Sequence, residues 1–491
     1  MKNKKAIIVG AGIGGIATAI RLAVKGYEVE VYEKNDVAGG KMYLIEKEGF
    51  KFDAGPSLFT QPSNVEELFQ LAGEDISSFF TYESVPIACR YFFENGKKVN
   101  AYTNAAEFAE EMNNQTGEPA SHIIQYLKDS ERIYEKVGSI FLNYSLHRMS
   151  TWLHSRVIGA MRAVSSSYLF KTLDQFNKDR FDTPEAVQIF NRYATYNGSN
   201  PYSAPGMLSL IPHLEQNQGT YYPHGGMINI PKALIALAEK KGVQFFLNTT
   251  VEKIKREEGT VTGVVIDGTF ISSDIVVSNV DAYYTYKNLL GDEAGASKIL
   301  RNERSSSALI FYWGMNREFS ELHLHNIFFS NDYEKEFDHL FKLKKFFHDP
   351  TIYVNITSKM ESGQSPEGKE NWFVMVNAPA KSTTDWETDI KLLRDAVLAK
   401  LSRILGTDIA AAIEVEEILT PGGIQSRTDS YLGSLYGTSS NSKWAAFMRH
   451  SNQSMRDKGL YFTGGSVHPG GGIPLCLKSA KIVSDLIGDL N

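Results

Sequence analysis

Three glycines near the start of the chain have the spacing of a pyrophosphate-binding turn. Gly10, Gly12 and Gly15 form the pattern G-x-G-x-x-G, and the acidic residue Glu33 follows them. Glycines at these positions permit a tight turn and let the phosphates of a dinucleotide approach the backbone. A carboxylate at position 33 would accept hydrogen bonds from ribose hydroxyls, which disfavours a ribose that carries a phosphate. The expected chemistry is therefore the binding of a dinucleotide cofactor.

The residues around these glycines predict the β-α-β unit that would position them. Residues 6–9 predict a buried parallel strand, residues 16–24 a helix that ends at Gly26, and residues 27–32 the next strand. The amino end of the helix would point free N–H groups and positive dipole charge at the phosphates. The chain thus begins with a nucleotide-binding unit.

Two glycine-rich segments downstream could pass close to the same cofactor. Gly39 and Gly40 precede Lys41, which we expect to approach the phosphates, and the segment Gly55-Pro56-Ser57 follows. The alternative for each segment is an ordinary glycine loop. Their closeness to the first glycine turn favours a role in cofactor binding.

The carboxyl-terminal tail predicts a second strand-loop-helix unit. Residues 459–475 contain a short apolar run and a glycine-rich loop, and a helix is expected from about residue 473 to 490 with Pro474 in its first turn. The start of this helix, near Ile473, could point N–H groups at a ring edge where negative charge grows on reduction. A nicotinamide cofactor needs one glycine turn, whereas a flavin laid across a domain needs a second backbone cradle. FAD is therefore the expected cofactor.

Composition limits the class of protein. The 491 residues exceed one ordinary domain, and 42% hydrophobic and 22% charged residues are typical of globular proteins. The net charge of −6 argues against nucleic-acid binding. Cys89 and Cys476 are too few for a disulfide framework or a cysteine metal site, and they fit a reducing cytoplasm. We interpret the amino terminus as mature rather than as a signal peptide, and no apolar run is long enough to span a membrane.

Changes of pattern along the chain predict two insertions into the nucleotide-binding fold. Residues 64–219 are helix-like and rich in aromatics, and residues 307–415 contain spaced strands of a mixed or antiparallel sheet. Elements of the first kind return between the insertions, including a helix at 230–240 and strands at 243–247, 251–254, 261–266 and 275–280. We expect an α/β protein with a Rossmann-type FAD-binding domain (1–63, 220–306 and 416–491) and an inserted mixed-sheet substrate-binding domain (64–219 and 307–415).

Six motifs spread over the chain resemble those of the carotenoid desaturase family, of the bacterial phytoene desaturase type. They are GAGIGG (10–15), FKFDAGPS (50–57), YPHGGM (222–227), HNIFFSNDY (325–333), DPTIYVN (349–355) and HPGGGIP (468–474). The first is shared with all flavin amine oxidase-like proteins, and the later ones point to carotenoids. Within the family, the tail is most similar to enzymes that desaturate hydroxylated acyclic carotenoids at the 3,4-position.

The resemblance implies an FAD-dependent desaturase of carotenoid biosynthesis. It would introduce a C=C bond into an acyclic carotenoid by hydride transfer to the flavin, and pass electrons to an acceptor such as quinone or oxygen. Alternatives of the same fold are a flavin-dependent carotenoid isomerase and a non-enzymatic escort protein for prenyl lipids. His213 and His468 are candidates for acid–base work, although His468 could equally hold its loop, and we assign neither as catalytic.

The glycine segments and the resemblance together indicate a set of cofactor-binding residues. This chain departs from the family's pattern at two places. Lys41 stands where many relatives carry arginine, and Gly465-Ser466 stands where the wider amine oxidase group often has Gly-Asp. The predicted residues are Gly10, Gly12, Ile13, Gly14, Gly15, Glu33, Lys34, Gly40, Lys41, Gly55, Pro56, Ser57, Val251, Gly465, Ser466, Gly472, Ile473 and Pro474.

The segment 146–170 predicts an amphipathic helix at a membrane surface. Its apolar stripe consists of Leu146, Met149, Leu153, Val157, Met161, Val164 and Tyr168, and three arginines, Arg148, Arg156 and Arg162, fall on the opposite side. No acidic residue occurs between Glu135 and Asp174. We expect a membrane-associated part at about 140–172 and a cytoplasmic protein peripherally attached to the inner face of the cell membrane. The alternative is a helix that packs its stripe on the inserted domain.

Overall fold

The computed structural model describes residues 4–152, 165–381, 386–442 and 449–490. Within these ranges the strands are β1 (Lys5–Val9), β2 (Glu28–Tyr32), β3 (Tyr43–Lys47), β4 (Phe50–Ala54), β5 (Tyr82–Val85), β6 (Ile87–Phe92), β7 (Lys98–Tyr102), β8 (Thr220–Pro223), β9 (Gln244–Phe246), β10 (Val251–Glu257), β11 (Thr260–Ile266), β12 (Thr269–Ser272), β13 (Ile275–Ser278), β14 (Ser307–Met315), β15 (His325–Phe328), β16 (Ile352–Ile356), β17 (Glu370–Ala378), β18 (Ile413–Leu419) and β19 (Leu460–Phe462).

The α-helices of the same ranges vary from one turn to five. They are Ile13–Val24, Ser63–Ala72, Ala105–Thr116, Ala120–Ile133, Ser139–Asn143, Met149–Trp152, Ser166–Phe170, Leu173–Lys178, Pro184–Asn191, Asn229–Lys240, Ala282–Tyr284, Glu293–Ile299, Tyr333–Asp338, Glu387–Leu405, Pro421–Thr428 and Ile473–Ile487. No helix of the described residues is long and apolar enough to cross a membrane.

A five-stranded parallel sheet carries the first glycine turn. Its strand order is β19-β13-β1-β2-β9, and each neighbouring pair is parallel. The helix Ile13–Val24 follows β1 and packs its apolar residues against the helices Asn229–Lys240 and Ile473–Ile487, for example through Ile20, Leu234 and Leu477. Because helices cover this face, the strands are apolar and buried as a parallel sheet requires. The predicted β-α-β unit and the tail unit are thus neighbours in one Rossmann-type sheet.

Two strands that we expect in the nucleotide-binding fold, at 251–254 and 261–266, lie outside this parallel sheet. Residues 261–266 fall in β11, which pairs antiparallel with β10 and β12 in a separate three-stranded sheet. Both connections are two-residue turns, Glu258-Gly259 and Asp267-Gly268, and all four residues have positive φ. Such turns fold hairpins, so the strand returns beside its neighbours in sequence instead of crossing to the parallel sheet.

A seven-stranded mixed sheet is built from both insertions, and its edge strand β18 extends past the predicted boundary at residue 415. Its order is β18-β14-β17-β16-β15-β6-β7, with one parallel pair between β15 and β6. The expectation that residues 64–219 are helical is therefore wrong for β5, β6 and β7. The hairpin between β6 and β7 contains Asn95-Gly96, a turn signal that the helical interpretation overlooked. Strand β6 joins the second insertion by pairing with β15.

The boundary at residue 64 cuts through a helix that packs on the nucleotide-binding core. Val65, Leu68 and Phe69 of Ser63–Ala72 are buried in the same apolar cluster as the helix Ile13–Val24. The parallel strands all come from the three ranges that we assigned to the FAD-binding domain. The exact division into two domains stays a prediction.

The segment 146–170 is not one continuous helix. Leu146 precedes the helix Met149–Trp152, and Ser165 has extended backbone angles before Ser166–Phe170 begins. Leu146 and Tyr168, the two ends of the predicted stripe, are buried, and Tyr168 packs on Phe176. At both ends of the segment, the apolar stripe therefore packs inside the protein, as the alternative predicted. Residues 153–164, with the middle of the stripe and two of the arginines, lie outside the described residues.

Candidate functional site

A cavity of about 720 Å³ runs from the parallel sheet to the seven-stranded sheet. Its first half is formed where β1 leads into the helix Ile13–Val24. Gly10 has φ +94°, and a Cβ at Gly15 would lie 2.3 Å from the carbonyl oxygen of Gly10. Only glycine therefore allows this close approach of helix and strand. Gly10, Gly12, Ile13 and Gly14 line the cavity, whereas Gly15 acts through packing and is not among the lining residues.

Glu33 is held rigidly beside this turn. Its carboxylate accepts hydrogen bonds from the backbone N–H of Ala11 at 2.8 Å and of Asn35 at 3.0 Å, and from the Asn35 side-chain amide at 2.6 Å. Glu33 is buried and lines the cavity. Oε1 accepts both bonds from Asn35, whereas Oε2 accepts only the bond from Ala11, so Oε2 can still accept from a ligand hydroxyl.

The second cradle meets the first one directly. A Cβ on Gly14 would lie 3.0 Å from Cα of Gly464, which places the two glycine loops in contact. Gly472 has φ +101°, and a Cβ there would meet no atom of the described residues within 4 Å. The helix Ile473–Ile487 begins at this point with Pro474 in its first turn. Its free N–H groups therefore open onto space at the cavity wall.

Apart from Gly15, the structure brings all the predicted residues to one cavity. Its walls include Gly10, Gly12, Ile13, Gly14, Glu33, Lys34, Gly40, Lys41, Gly55, Pro56, Ser57, Val251, Gly465, Ser466, Gly472, Ile473 and Pro474. Ser466 Oγ also accepts from the N–H of Ala282 at 3.0 Å, so it anchors the loop as well as lining the cavity.

The two predicted lysines make protein contacts with their amino groups. Lys34 Nζ lies 2.7 Å from a carboxylate oxygen of Asp429. Lys41 Nζ donates to the carbonyl oxygen of Leu435 at 2.6 Å, and burial lowers the pKa of Lys41 to about 8. In this arrangement Lys41 ties its loop to the segment around Leu435 instead of pointing freely toward phosphates.

Both histidine candidates are engaged in structural hydrogen bonds. His468 Nε2 lies 2.9 Å from the carbonyl oxygen of Tyr144, and burial lowers its pKa to about 4. His213 contacts the side chains of Asn217 and Gln218 through its two ring nitrogens at 2.9 and 3.0 Å. Neither is among the described residues that line the cavity. His468 therefore holds its loop, as the structural alternative proposed.

Sequence reasoning missed polar residues that complete the first half of the cavity. Asn279 lies directly after β13, and its amide donates to the carbonyl oxygen of Thr463 at 3.1 Å, joining the two glycine loops. Asp281 lines the cavity and forms a buried ion pair with Arg304. The predicted strand at 275–280 includes Asn279, whereas β13 ends at Ser278. A polar residue at the carboxyl end of a parallel strand is a signal for a site.

The second half of the cavity is one face of the seven-stranded sheet. Side chains alternate along a strand, so Ile310, Met375, Tyr353 and Ile327 project from the same face. They are cross-strand neighbours in a row over β14, β17, β16 and β15, and all four line the cavity. A mostly apolar wall therefore continues from the glycine loops.

A chain of hydrogen bonds connects the two halves. Ser57 Oγ lies 2.8 Å from the hydroxyl of Tyr353, which lies 2.7 Å from Nδ1 of His325. Ser57 belongs to the glycine-rich loop at 55–57, whereas His325 begins β15. The wall that would hold an apolar ligand is thereby fixed relative to the glycine cradle.

A buried ion pair borders the far part of this wall. Arg192 Nη2 lies 3.2 Å from a carboxylate oxygen of Glu215, and both residues line the cavity. The carboxylate also accepts from the hydroxyls of Tyr193 and Tyr196 and from the amide of Gln216. Glu215 is therefore fully occupied by donors from the protein.

Comparison with known proteins identifies the family. The family model described as flavin containing amine oxidoreductase matches residues 13–488. The chain is 47% identical over 488 residues to a 1-hydroxycarotenoid 3,4-desaturase of Flavobacterium sp., covering 99% of this chain and 100% of that protein. It is 32% identical to a 4,4'-diapolycopene oxygenase of Methylomonas sp., with 99% of both chains covered. An oxidoreductase structure from Methanosarcina mazei superimposes with a TM-score of 0.64 at 15% identity, over 98% of this chain and 99% of that one.

The cavity fits the cofactor of this family. The carboxylate of Glu33 suits a ribose, and the two glycine loops in contact suit a pyrophosphate. The open helix start at Gly472 suits the edge of a flavin ring. The escort alternative predicted no flavin, and the family match favours the flavin-binding interpretation. The chain therefore belongs to the flavin-containing amine oxidoreductase family and is an FAD-dependent oxidoreductase.

Proposed function

We propose that this oxidoreductase is a carotenoid desaturase that acts on the 3,4 bond of a 1-hydroxycarotenoid. The observation that carries the proposal is the row of apolar side chains over four strands, which continues the FAD cradle into a wall suited to a polyene. The relative that is 47% identical over its whole length bears that activity in its name. The tail motif also resembles that of enzymes that desaturate hydroxylated acyclic carotenoids at the 3,4-position, which supports the same bond.

FAD, when bound, supplies the two-electron oxidation in which two hydrogens leave adjacent carbons. The residues of the chain orient the polyene and exclude water from it. Ile310, Met375 and Ile327 offer flat apolar contact, and the link from Ser57 to Tyr353 fixes that wall against the cradle. Burial and the charge of Arg192 lower the pKa of His325 to about 3. His325 is therefore uncharged at neutral pH and does not oppose positive charge that develops along an oxidised polyene.

Anaerobic single-turnover reduction with product analysis tests the proposal. Purified flavoprotein mixed with a 1-hydroxylated acyclic carotenoid should bleach its flavin absorbance and yield one additional conjugated double bond. An unchanged number of conjugated double bonds would favour the isomerase alternative. A protein that cannot be loaded with FAD would favour the escort alternative.

A second candidate activity is terminal oxygenation, because a relative named as an oxygenase is 32% identical over nearly the whole chain. Labelled O₂ separates the two activities. A desaturase product contains no oxygen derived from O₂, whereas an oxygenase product does. In the desaturase the electrons pass on to an acceptor such as quinone or oxygen, and the rate of flavin reoxidation by each acceptor identifies it.

We propose that the protein attaches peripherally to the inner, cytoplasmic face of the cell membrane. A carotenoid dissolves in lipid, so the enzyme must meet its substrate there. Phe170, which ends the helix Ser166–Phe170, is 70% exposed, and Lys171 follows it. An exposed aromatic residue suits the membrane interface, and the amino group of Lys171 beside it is paired with Asp179.

Flotation with anionic liposomes tests the attachment. Phe170→Asp, and separately Leu153→Asp with Met161→Asp, should lower liposome binding and leave flavin content unchanged. Leu392→Asp is the control, because Leu392 is 65% exposed on the helix Glu387–Leu405, outside this segment. If both test variants float like the parent protein, the attachment through residues 146–170 is wrong.

A further inference from the structure

Three buried hydrogen-bond donors in the cavity wall lack an acceptor among the described residues. They are Nε2 of His325, the hydroxyl of Tyr333 and Nε of Arg192. All three residues line the cavity, and their exposed fractions are 2%, 5% and 7%. Buried polar atoms are nearly always paired in folded proteins. A donor cluster of His325, Tyr333 and Arg192 on one cavity therefore indicates that an acceptor oxygen completes it.

The hydrogen-bond partners of His325 show that its free nitrogen carries the proton. The side-chain amide of Asn355 donates to the carbonyl oxygen of Leu324 at 3.1 Å, which fixes the orientation of the amide. The same NH₂ group lies 3.1 Å from Nδ1 of His325, so Nδ1 accepts a hydrogen bond. Because the pKa of His325 is lowered to about 3, the ring is neutral and its hydrogen lies on Nε2. Nε2 is thus a donor that needs an acceptor.

The three donors act on a common region. Arg192 Nη2 donates to the hydroxyl of Tyr91 at 2.6 Å, and Tyr91 is the cross-strand neighbour of Ile327 on the strand that begins with His325. The ring of Tyr91 stacks on Phe329, which packs edge-on against Tyr333. The charge of Arg192 also contributes to the lowered pKa of His325. That charge is already balanced by Glu215. A neutral oxygen with two lone pairs, such as a hydroxyl, therefore suits the region better than a second carboxylate, which would add an unbalanced buried charge.

We propose that the donor cluster binds the end-group hydroxyl of an acyclic carotenoid and thereby selects the bond that is oxidised. This inference rests on the proposed function. In a 1-hydroxycarotenoid a single carbon separates the hydroxyl-bearing carbon from the 3,4 bond, so the hydroxyl must lie close to the cofactor. His325 meets this requirement, because two hydrogen bonds of 2.7 and 2.8 Å connect it through Tyr353 to Ser57 in the cofactor cradle.

Tyr333→Phe is the sharpest test, because it removes one hydroxyl and no hydrogen bond within the described structure. The variant should fold and load FAD like the parent. Its kcat/KM for the 1-hydroxylated carotenoid should fall roughly tenfold, and its kcat/KM for the same polyene without the hydroxyl should not change. Tyr312→Phe is the matched control: the hydroxyl of Tyr312 is also buried and unpaired among the described residues, but Tyr312 is not among the lining residues.

The four rate constants for two enzymes and two substrates form a double-mutant cycle, which isolates the contact between the two hydroxyl groups. Equal losses on both polyenes would show that Tyr333 only shapes the cavity and would overturn the proposal. Unchanged rates on both would overturn it as well, because the cluster would then hold only water. Failure of the parent protein to desaturate either polyene would instead refute the proposed function.

Discussion

Replacement of Glu33 by alanine should have two separable effects, one on folding and one on cofactor binding. The carboxylate accepts from the N–H of Ala11 at 2.8 Å, and Ala11 is fully buried. Removal of the acceptor leaves this N–H unpaired, which costs about 1–3 kcal/mol. We therefore expect the free energy of unfolding of the flavin-free protein to fall by that amount.

The second effect appears only when FAD binds. A hydrogen bond between a ribose hydroxyl and the Glu33 carboxylate contributes about 1.5–3 kcal/mol, because one partner is charged. The dissociation constant for FAD should therefore rise about 10- to 150-fold. The backbone cradles survive in the variant, so binding should be weakened and not abolished.

Urea unfolding of the flavin-free protein measures the first effect, and quenching of flavin fluorescence on titration measures the second. Glu28→Ala is the control, since Glu28 is an exposed carboxylate at the start of the same strand, β2. Unchanged stability of flavin-free Glu33→Ala would refute the role of the Ala11 hydrogen bond. Unchanged FAD affinity would remove Glu33 from the ribose site.

Three further predictions follow from the same geometry. Gly12→Val should abolish flavin retention, measured as flavin absorbance per protein, since even a Cβ at Gly12 would lie 2.5 Å from Oδ1 of Asn279. Glu215→Gln should lower the free energy of unfolding by about 3–5 kcal/mol by leaving Arg192 without its carboxylate, and the double variant with Arg192→Met should lose less. The pKa of His468 is lowered from 6.5 to about 4, so its stabilising effect is complete above pH 6.5 and declines as pH falls toward 4. Unfolding midpoints across this range should decrease less steeply in His468→Gln than in the parent.

Local sequence patterns predicted the cofactor cradle because its chemistry is local. The glycines at 10, 12 and 15, the strand before them and the acid at 33 lie within one β-α-β unit, and each residue type has a fixed geometric task. The tail unit was predictable for the same reason. Their contact, through Gly14 and Gly464, and the role of Asn279 in joining them needed the structure.

The substrate side could not be predicted in this way because its contacts join distant segments. Ser57 and Tyr353 are hydrogen-bonded although 296 positions separate them, and Tyr91 and Arg192 are 101 positions apart. Each of these residues is unremarkable in its local sequence. Strands β6 and β7 did carry a local signal, the turn Asn95-Gly96 between them. The prediction missed it because the surrounding sequence is mostly helix-like and rich in aromatics.

The apolar stripe predicted at residues 146–170 shows a second limit of prediction from sequence. Periodicity establishes that one face of a helix is apolar but not what covers that face. Tyr168 belongs to the predicted stripe, yet it packs on Phe176 inside the protein, while its neighbour Phe170 is exposed. Tyr168, which the membrane hypothesis assigned to the lipid-facing stripe, is therefore buried, whereas Phe170, which lies outside that stripe, is exposed.

The seven-stranded sheet explains how two separate insertions make one substrate wall. Strand β15 pairs with β16 from its own insertion and with β6 from the other, so His325 and Ile327 lie where the two meet. A polyene that contacts this face can slide along it, since apolar contacts are not directional. Directional hydrogen bonds at one end of the chain would remove that freedom. A polar anchor at the wall is one way to select a single bond, and the donor cluster is placed to supply it.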